Sequence, residues 1–314
     1  MTFARTGRAT CIGAANIDRK LASTGPLRMG TSNPARQYES FGGVARNIAE
    51  NLARLGAQVS LVTAVGDDTA GRAILGHAAA CGIDVGKAIK FDGAASGTYT
   101  AVLDERGDMV VALADMALYD MLTPERVRPG LEPGALTIAD LNLPSATVAA
   151  LLREAAPLVV VAVSEPKMER LPADLSGLRL LILNLGELQA RLGRTIEGEA
   201  QLLAACREVQ AQGALDVIVT RGSAGVSYTT GGGVAHMDAE HVEVVDVTGA
   251  GDAFAAAVCW SLMTEGDDLG VACKRGLHLA ALTVACPTTV IPAKAGTHAE
   301  SIAHIQYGFP LSRE

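Results

Sequence analysis

The sequence predicts an α/β fold in which a largely parallel sheet is covered by helices on both faces, with a second, smaller β-sheet beside it. Three observations carry that prediction. Short runs of Val, Ile and Leu alternate with helix-period segments along most of the chain, the pattern of a sheet buried on both sides. The 314 residues are 49% apolar but only 4% aromatic, and small aliphatic side chains let helices pack closely on such a sheet. The alternation breaks at two β-rich segments, about residues 19–40 and 97–113, which supply the smaller sheet.

Taken in order, "ATCIGAANID" reads as a first strand that runs into a loop, with Asn16 and Asp18 at its end. Residues 19–40 are polar and irregular, interrupted by Gly25, Pro26, Gly30 and Pro34, and are expected to hold short strands and turns. After Gly42-Gly43, the positions Val44, Ala45, Ile48, Ala49, Leu52 and Leu55 mark one helical face that stops at Gly56. "QVSLVTAVG" is a strand and residues 69–80 a helix. In "SGTYTAVLDERGDMVVAL" two alternating runs flank Asp104-Glu-Arg-Gly107, a hairpin signal. The alternation then resumes, with strands at "ALTIADLN", "LVVVAVS", "LRLLILN" and "LDVIVTRG" and helices at 145–155 and 197–212. "AGVSYTT" opens a hairpin expected to end near "EVVDV", and two long helices start at about Ala250 and Gly270. The stretch from Ile291 onward is weakly patterned, and no role is assigned to it.

Bulk properties exclude several classes. A net charge of −8 and a pI near 5.3 argue against a nucleic-acid partner, although a local field can still favour a phosphate. The six cysteines show no C-x-x-C and no zinc-like spacing, which fits a reduced interior. No apolar run reaches transmembrane length and no signal-like segment opens the chain. The expectation is a soluble, cytoplasmic protein without a membrane partner.

Candidate chemistry centres on Asp246-Val-Thr-Gly-Ala-Gly-Asp252, just before the apolar run "AFAAAVCW". Small residues Gly249, Ala250 and Gly251 at a helix start let backbone N–H groups converge on an anion. A carboxylate, Asp252, in the first turn beside that site could take a proton from an attacking hydroxyl, so the pair suggests phosphoryl transfer to an alcohol. For an isolated G-x-G-D, a plain turn with a helix cap is an equally good reading. No G-x-x-x-x-G-K-[ST], H-R-D, D-F-G or early G-x-G-x-x-G is present, which removes the P-loop, protein-kinase and usual dinucleotide patterns. Asn184-Leu-Gly-Glu187 and Thr220-Arg-Gly-Ser-Ala-Gly225 follow strands, at the carboxyl edge where parallel sheets bind ligands; each alone is more often a turn or a cap. Gly42-Gly43 permits close approach of a polar ligand to the backbone, and Asn47 lies one turn further on. Asn16 and Asp18 suit vicinal sugar hydroxyls, or else make an Asx turn.

In this order the pieces resemble the ribokinase-like (PfkB) family of carbohydrate and nucleoside kinases, from about residue 10 to 290. "DVTGAGDAF" carries the resemblance most strongly, with "FGGVARNIAENLARLG" and the Asn184–Glu187 element. It implies a single ribokinase-like domain over 1–314, a three-layer α/β/α Rossmann-like sheet, with a β lid from about 19–40 and 97–113 that often mediates dimerisation. It implies Asp252 as base and Gly249, Ala250 and Gly251 as anion hole for the γ-phosphate. Asn184 and Glu187 would serve the phosphate and a Mg²⁺–water network. Thr220, Gly222 and Gly225 would line the ATP site. Asp246 and Thr248 match positions that bind a monovalent cation such as K⁺ in some members. Asn16, Asp18, Gly42, Gly43 and Asn47 match sugar-binding positions.

Within the family, ribokinases read G-G-K-G-A-N where this chain has Gly42-Gly-Val-Ala-Arg-Asn47, which speaks against ribose. "SNPARQYESFGGVARNIAENLARLG" is instead similar to pseudouridine kinases, as are "IGAANID", "ADM" and "IADLNL". On that resemblance Thr98 and Asn142 are placed near the ribose or base. The subfamily carries D-P-V-S where this chain has Val161-Ala-Val-Ser164, and Pro where it has Leu183. The open alternatives are a kinase of another nucleoside or of a sugar such as ribose or fructose, and a binding protein that has lost phosphoryl transfer.

Overall fold

Two strands open the chain where one was expected: β1 (Arg8–Ile12) and β2 (Asn16–Ser23). The structure, a computed structural model, describes residues 6–286 and 290, and the stretch from Ile291 onward lies outside them. The break falls at Gly13, whose φ of 148° no other residue adopts readily, and β2 leaves for the second sheet. Asn16 and Asp18 therefore begin the second strand; they do not end the first.

β3 (Ala35–Gly42), α1 (Val44–Arg54), β4 (Gln58–Val62) and β5 (Ala64–Gly66) follow, then α2 (Thr69–Ala80) and β6 (Ile89–Phe91). "QVSLVTAVG" thus splits at Thr63, and its second half pairs with β6 in a two-stranded sheet. The predicted hairpin is β7 (Thr98–Leu103) and β8 (Met109–Asp115), followed by a single turn, α3 (Pro124–Val127). The βα units are β9 (Leu136–Asp140), α4 (Ser145–Glu154), β10 (Leu158–Val161), β11 (Leu178–Asn184), α5 (Leu185–Leu192) and α6 (Gly198–Ala211). β12 (Asp216–Thr220) leads to the hairpin β13 (Val226–Thr229) and β14 (Val234–Met237), which ends well before "EVVDV". Helices α7 (Ala250–Trp260) and α8 (Leu269–Val284) complete the described fold. α5 is too short for a helical period to show in the sequence, because its whole apolar face fits in about two turns.

The main sheet runs β14-β13-β12-β11-β10-β9-β1-β4. Its strands from β12 to β4 are parallel, and β13 and β14 are antiparallel additions. Successive residues alternate between two cores: Val159 and Val161 face α1, α2, α7 and α8, while Leu158 and Val160 face α3 to α6. That two-sided burial is why the strands read as continuous apolar runs. α7 is buried from Ala253 to Trp260, so it is apolar all round and serves as a core helix.

The small sheet runs β3-β2-β7-β8; its strands are longer than the short pieces expected from residues 19–40. Asp18, Tyr99, Ser40 and Ala114 stand in register, and so do Ile17, Thr98, Phe41 and Asp115 on the other face. Among the described residues no helix is long and apolar enough to cross a membrane, and all six cysteines are free.

Candidate active site

The start of α1, the start of α7 and the carboxyl end of β9 meet at one point. Gly43 caps α1 with φ 97°, and a Cβ there would lie 2.4 Å from the Ala14 carbonyl oxygen, so only glycine lets this helix approach the β1–β2 turn. A Cβ on Gly42 would fall 2.3 Å from an Asp18 carboxylate oxygen. One turn into α1, Asn47 donates from Nδ2 to Asp252 Oδ2 at 2.7 Å. Asn16 donates from Nδ2 to Asp18 Oδ1 at 2.6 Å. The structure thus brings Asn16, Asp18, Gly42, Gly43, Asn47 and Asp252 together.

Asp140 went unnoticed in the sequence, although the quoted "IADLNL" contains it. Its Oδ2 accepts from the backbone N–H groups of Ala14, at 2.9 Å, and Ala45, at 3.0 Å. Its Oδ1 accepts from Asn142 N–H at 2.8 Å. One buried carboxylate therefore ties the β1–β2 turn to the N-terminus of α1, where the helix dipole also favours it. Three acids share this region, and burial pushes the carboxyls of Asp18, Asp140 and Asp252 all upward. Asp252 is raised to about 7, chiefly by burial; the Asn47 hydrogen bond and Arg46 oppose the rise, and Asp140 and Asp18 add to it. A base poised near neutrality suits proton transfer at physiological pH.

On the other side of α7's first turn a cavity of about 400 Å³ is lined by Thr220, Gly222, Gly225, Ala250, Gly251 and Phe254, among other residues. The predicted nucleotide residues and the predicted anion loop therefore share one space. Gly249 is the left-handed N-cap of α7. Ala250 N–H is engaged by the Val247 carbonyl oxygen at 3.3 Å. The N–H groups of Gly251 and Asp252, in the first turn, have no carbonyl one turn earlier in the helix to bond.

Asn184 and Glu187 form a reciprocal capping box at α5: Glu187 N–H donates to Asn184 Oδ1 at 2.8 Å, and Asn184 N–H donates to Glu187 Oε2 at 2.7 Å. Asn184 stands in register with Thr220, which puts the box at the level of that cavity. Glu165, another residue missed in the sequence, lies against Gly186, where a Cβ would sit 2.4 Å from its Oε1. Burial raises the Glu187 carboxyl, and the charge of Glu165 raises it further.

Three expectations are placed differently. Asp246 does not present an open carboxylate: Oδ2 accepts from Lys20 Nζ at 2.5 Å, and Oδ1 accepts from Thr248 N–H at 2.9 Å and its hydroxyl at 2.6 Å. Burial alone would raise this carboxyl, but Lys20 and Thr248 hold it below its usual value. An ammonium from the small sheet thus stands where a monovalent cation was expected. Thr98 is in register with Ile17, on the face opposite Asp18, and the β7 residue on Asp18's face is Tyr99. Asn142 is buried beside Asp140, and its Oδ1 accepts from Lys167 Nζ while its carbonyl oxygen accepts from Arg170 Nη1 at 2.7 Å.

Comparisons with known proteins bear on fold and family. The profile of the pfkB family carbohydrate kinases matches residues 7–295. The chain is 32% identical over 257 residues to a pseudouridine kinase of Escherichia coli (strain K12), covering 79% of this chain and 82% of that one. A solved carbohydrate kinase from Agrobacterium tumefaciens shares 30% identity with a TM-score of 0.79, over 94% of this chain and 96% of its own. An Arabidopsis thaliana ribokinase, solved with ribose and ATP, shares the fold at 19% identity, with a TM-score of 0.77 over 95% of this chain and 99% of its own. The ribokinase-like architecture expected from the sequence is the one observed.

Proposed function

The chain belongs to the pfkB family of carbohydrate kinases, and on that premise we propose that it phosphorylates the 5′-hydroxyl of pseudouridine with ATP. Family membership makes it a phosphotransferase with an alcohol acceptor; the choice of pseudouridine rests on the 32% identity to the E. coli enzyme. One observation carries the chemistry: Asp252, held by Asn47 at 2.7 Å, stands at the start of α7. On one side lies the Gly42–Asn47 cradle, and on the other the nucleotide cavity.

In this reading the nucleoside rests on Asn16, Asp18, Gly42 and Gly43. Its 5′-hydroxyl gives its proton to Asp252 as the oxygen attacks the γ-phosphorus. The bond from that phosphorus to the β,γ-bridging oxygen breaks, and ADP leaves with the electron pair. The first-turn N–H groups of α7 and its dipole favour the charge on the transferred group. The largely apolar cavity beside Phe254 receives the nucleotide's base.

Glu165 and Glu187 oppose each other as like charges, a donor set that a divalent cation would relieve, so magnesium fits here. Bound with the nucleotide, it would neutralise phosphate oxygens, and Glu187, Glu165 and Asn184 are the residues placed to hold it through water. In this reading Lys20 takes the charge-balancing place at Asp246 in potassium's stead. The small sheet serves as a lid, and its outward face, with Leu21, Val102 and Val111 in register and Leu113 exposed beside them, is proposed as a homodimer contact.

The test is a panel of pseudouridine, uridine, ribose and fructose with ATP, read by ADP release and by the mass of the product. Pseudouridine is expected to give the highest kcat/KM. A sugar preferred over every nucleoside sinks the substrate assignment. Asp252→Asn is expected to lower kcat by about 10²–10⁴-fold while nucleoside binding persists, and unchanged turnover would refute the role given to Asp252.

A further inference from the structure

We propose that Arg46 is a positioning residue that locks the Asn47 carboxamide in the orientation that keeps Asp252 an open, ionised proton acceptor. The inference rests on Asp252 being the base of the reading above, and it concerns a residue outside the catalytic motif.

The geometry is a chain of contacts along α1. Arg46 Nη2 donates to Asn47 Oδ1 and, at 2.9 Å, to the Phe41 carbonyl oxygen. Arg46 Nη1 donates to Glu50 Oε2 at 2.7 Å, and Glu50 Oε1 is held from behind by Arg54 at 2.5 Å. Arg46 and Glu50 are each 1% exposed, so the guanidinium has little freedom to leave.

A guanidinium has donors only. Whatever atom of Asn47 faces Arg46 must therefore be the carbonyl oxygen, and the amide nitrogen is left to face Asp252. That nitrogen donates, and so it favours the charged form of the carboxylate. Without Arg46 the amide can turn over. Its oxygen would then face Asp252, and two acceptors meet comfortably only if the carboxyl carries a proton. A protonated Asp252 cannot act as a base.

Charge acts in the same direction. Asp252 is surrounded by Asp18 from β2, Asp140 from β9, and Asn47 and Arg46 from α1. Arg46 is the cation in that set, and its own environment includes Glu50, Asp18, Cys81 and the His77 ring, whose Nδ1 lies 3.4 Å from Nη1. Its loss would leave three carboxyls facing one another with less compensation.

The experiment is the pH profile of kcat/KM for pseudouridine, or for whichever panel acceptor is turned over, in wild type, Arg46→Met and Arg46→Lys. The expected wild-type acid limb lies near 7. In Arg46→Met it is expected to move up by about one pH unit or more, a loss of roughly fivefold or more at about pH 7 that approaches tenfold at lower pH and closes towards pH 9. Arg46→Lys keeps the charge without the Nη2 bridge between Asn47 and Phe41, and its limb is expected to move less but in the same direction. It also carries the test if Arg46→Met does not fold. A uniform loss at every pH with an unmoved limb in the folded variants overturns the proposal and leaves Asp252 as base. A wild type without phosphoryl transfer, or an Asp252→Asn variant that keeps it, overturns the underlying reading and this proposal with it.

Discussion

Replacing Asp252 by Asn is expected to stabilise the protein while it removes the activity. The carboxyl titrates near 7 in the folded chain, against a reference of 3.8, chiefly because it is buried. A gap of about three pH units, at about 1.36 kcal/mol each, sets a ceiling of about 4 kcal/mol. Asp252 still borders the cleft, so solvent returns part of that, and about 2 kcal/mol is the working figure. The replacing carboxamide can accept the Asn47 hydrogen bond through its own oxygen, so no buried donor is orphaned. The sign follows from linkage: the folded state holds this proton more tightly than the unfolded state. Wild type is therefore favoured below about pH 4 and loses that stability as pH rises through 7. The uncharged variant escapes the loss. Thermal unfolding at pH 8 should place the variant roughly 3–5 °C above wild type, and the gap should shrink as pH falls towards 4. A variant less stable at pH 8, or a gap indifferent to pH, would refute the argument that this carboxylate is held against its own desolvation cost.

Three other outcomes follow from the same geometry. Lys20→Met should leave Asp246 without its counter-cation and create a potassium stimulation of turnover that wild type lacks, read by comparing potassium with tetramethylammonium salts at one ionic strength; an indifference to potassium in the variant contradicts the charge-balancing role. Gly43→Ala forces a positive φ and a 2.4 Å approach to the Ala14 carbonyl oxygen, so it should cost about 2–4 kcal/mol in urea unfolding; a loss under half a kcal/mol contradicts the close-approach account. Val111→Lys with Leu113→Lys should turn a dimer into a monomer by light scattering while kcat holds within about twofold, and a wild type already monomeric at tens of micromolar ends the lid-contact idea.

What could be read from the sequence is what lies close together in it. Gly42, Gly43 and Asn47 fall within six positions, and Gly249 to Asp252 within four, so the glycines' need and the carboxylate's company show in the string itself. The strands were legible for a related reason, since a strand buried on both faces is apolar at every position. Asn184 and Glu187 were half legible: their spacing was seen, but the capping box that fixes it needs a helix of two turns that no periodicity reveals.

Asp140, Lys20, Arg46 and Glu165 were not read, and the cause is common to them. Asp140 gains its role by meeting the N–H of Ala14, 126 positions away, and Lys20 by meeting Asp246, 226 positions away. In the linear string Asp140 is one acid at a strand end, and Lys20 is one base among polar neighbours. Arg46 was noticed only as a departure from the usual small residue, because the Asn47–Asp252 contact that gives it meaning spans 205 positions. Thr98 shows the converse: its place in the lid is legible in the sequence, but the face it takes is decided by its register against Ile17. On the proposed reading "DVTGAGD" supplies the reacting carboxylate, whereas its protonation state is set by residues that lie outside that stretch. Two kinases with an identical "DVTGAGD" can differ in the pH at which they work, and the difference has to be sought at positions such as 46 and 140.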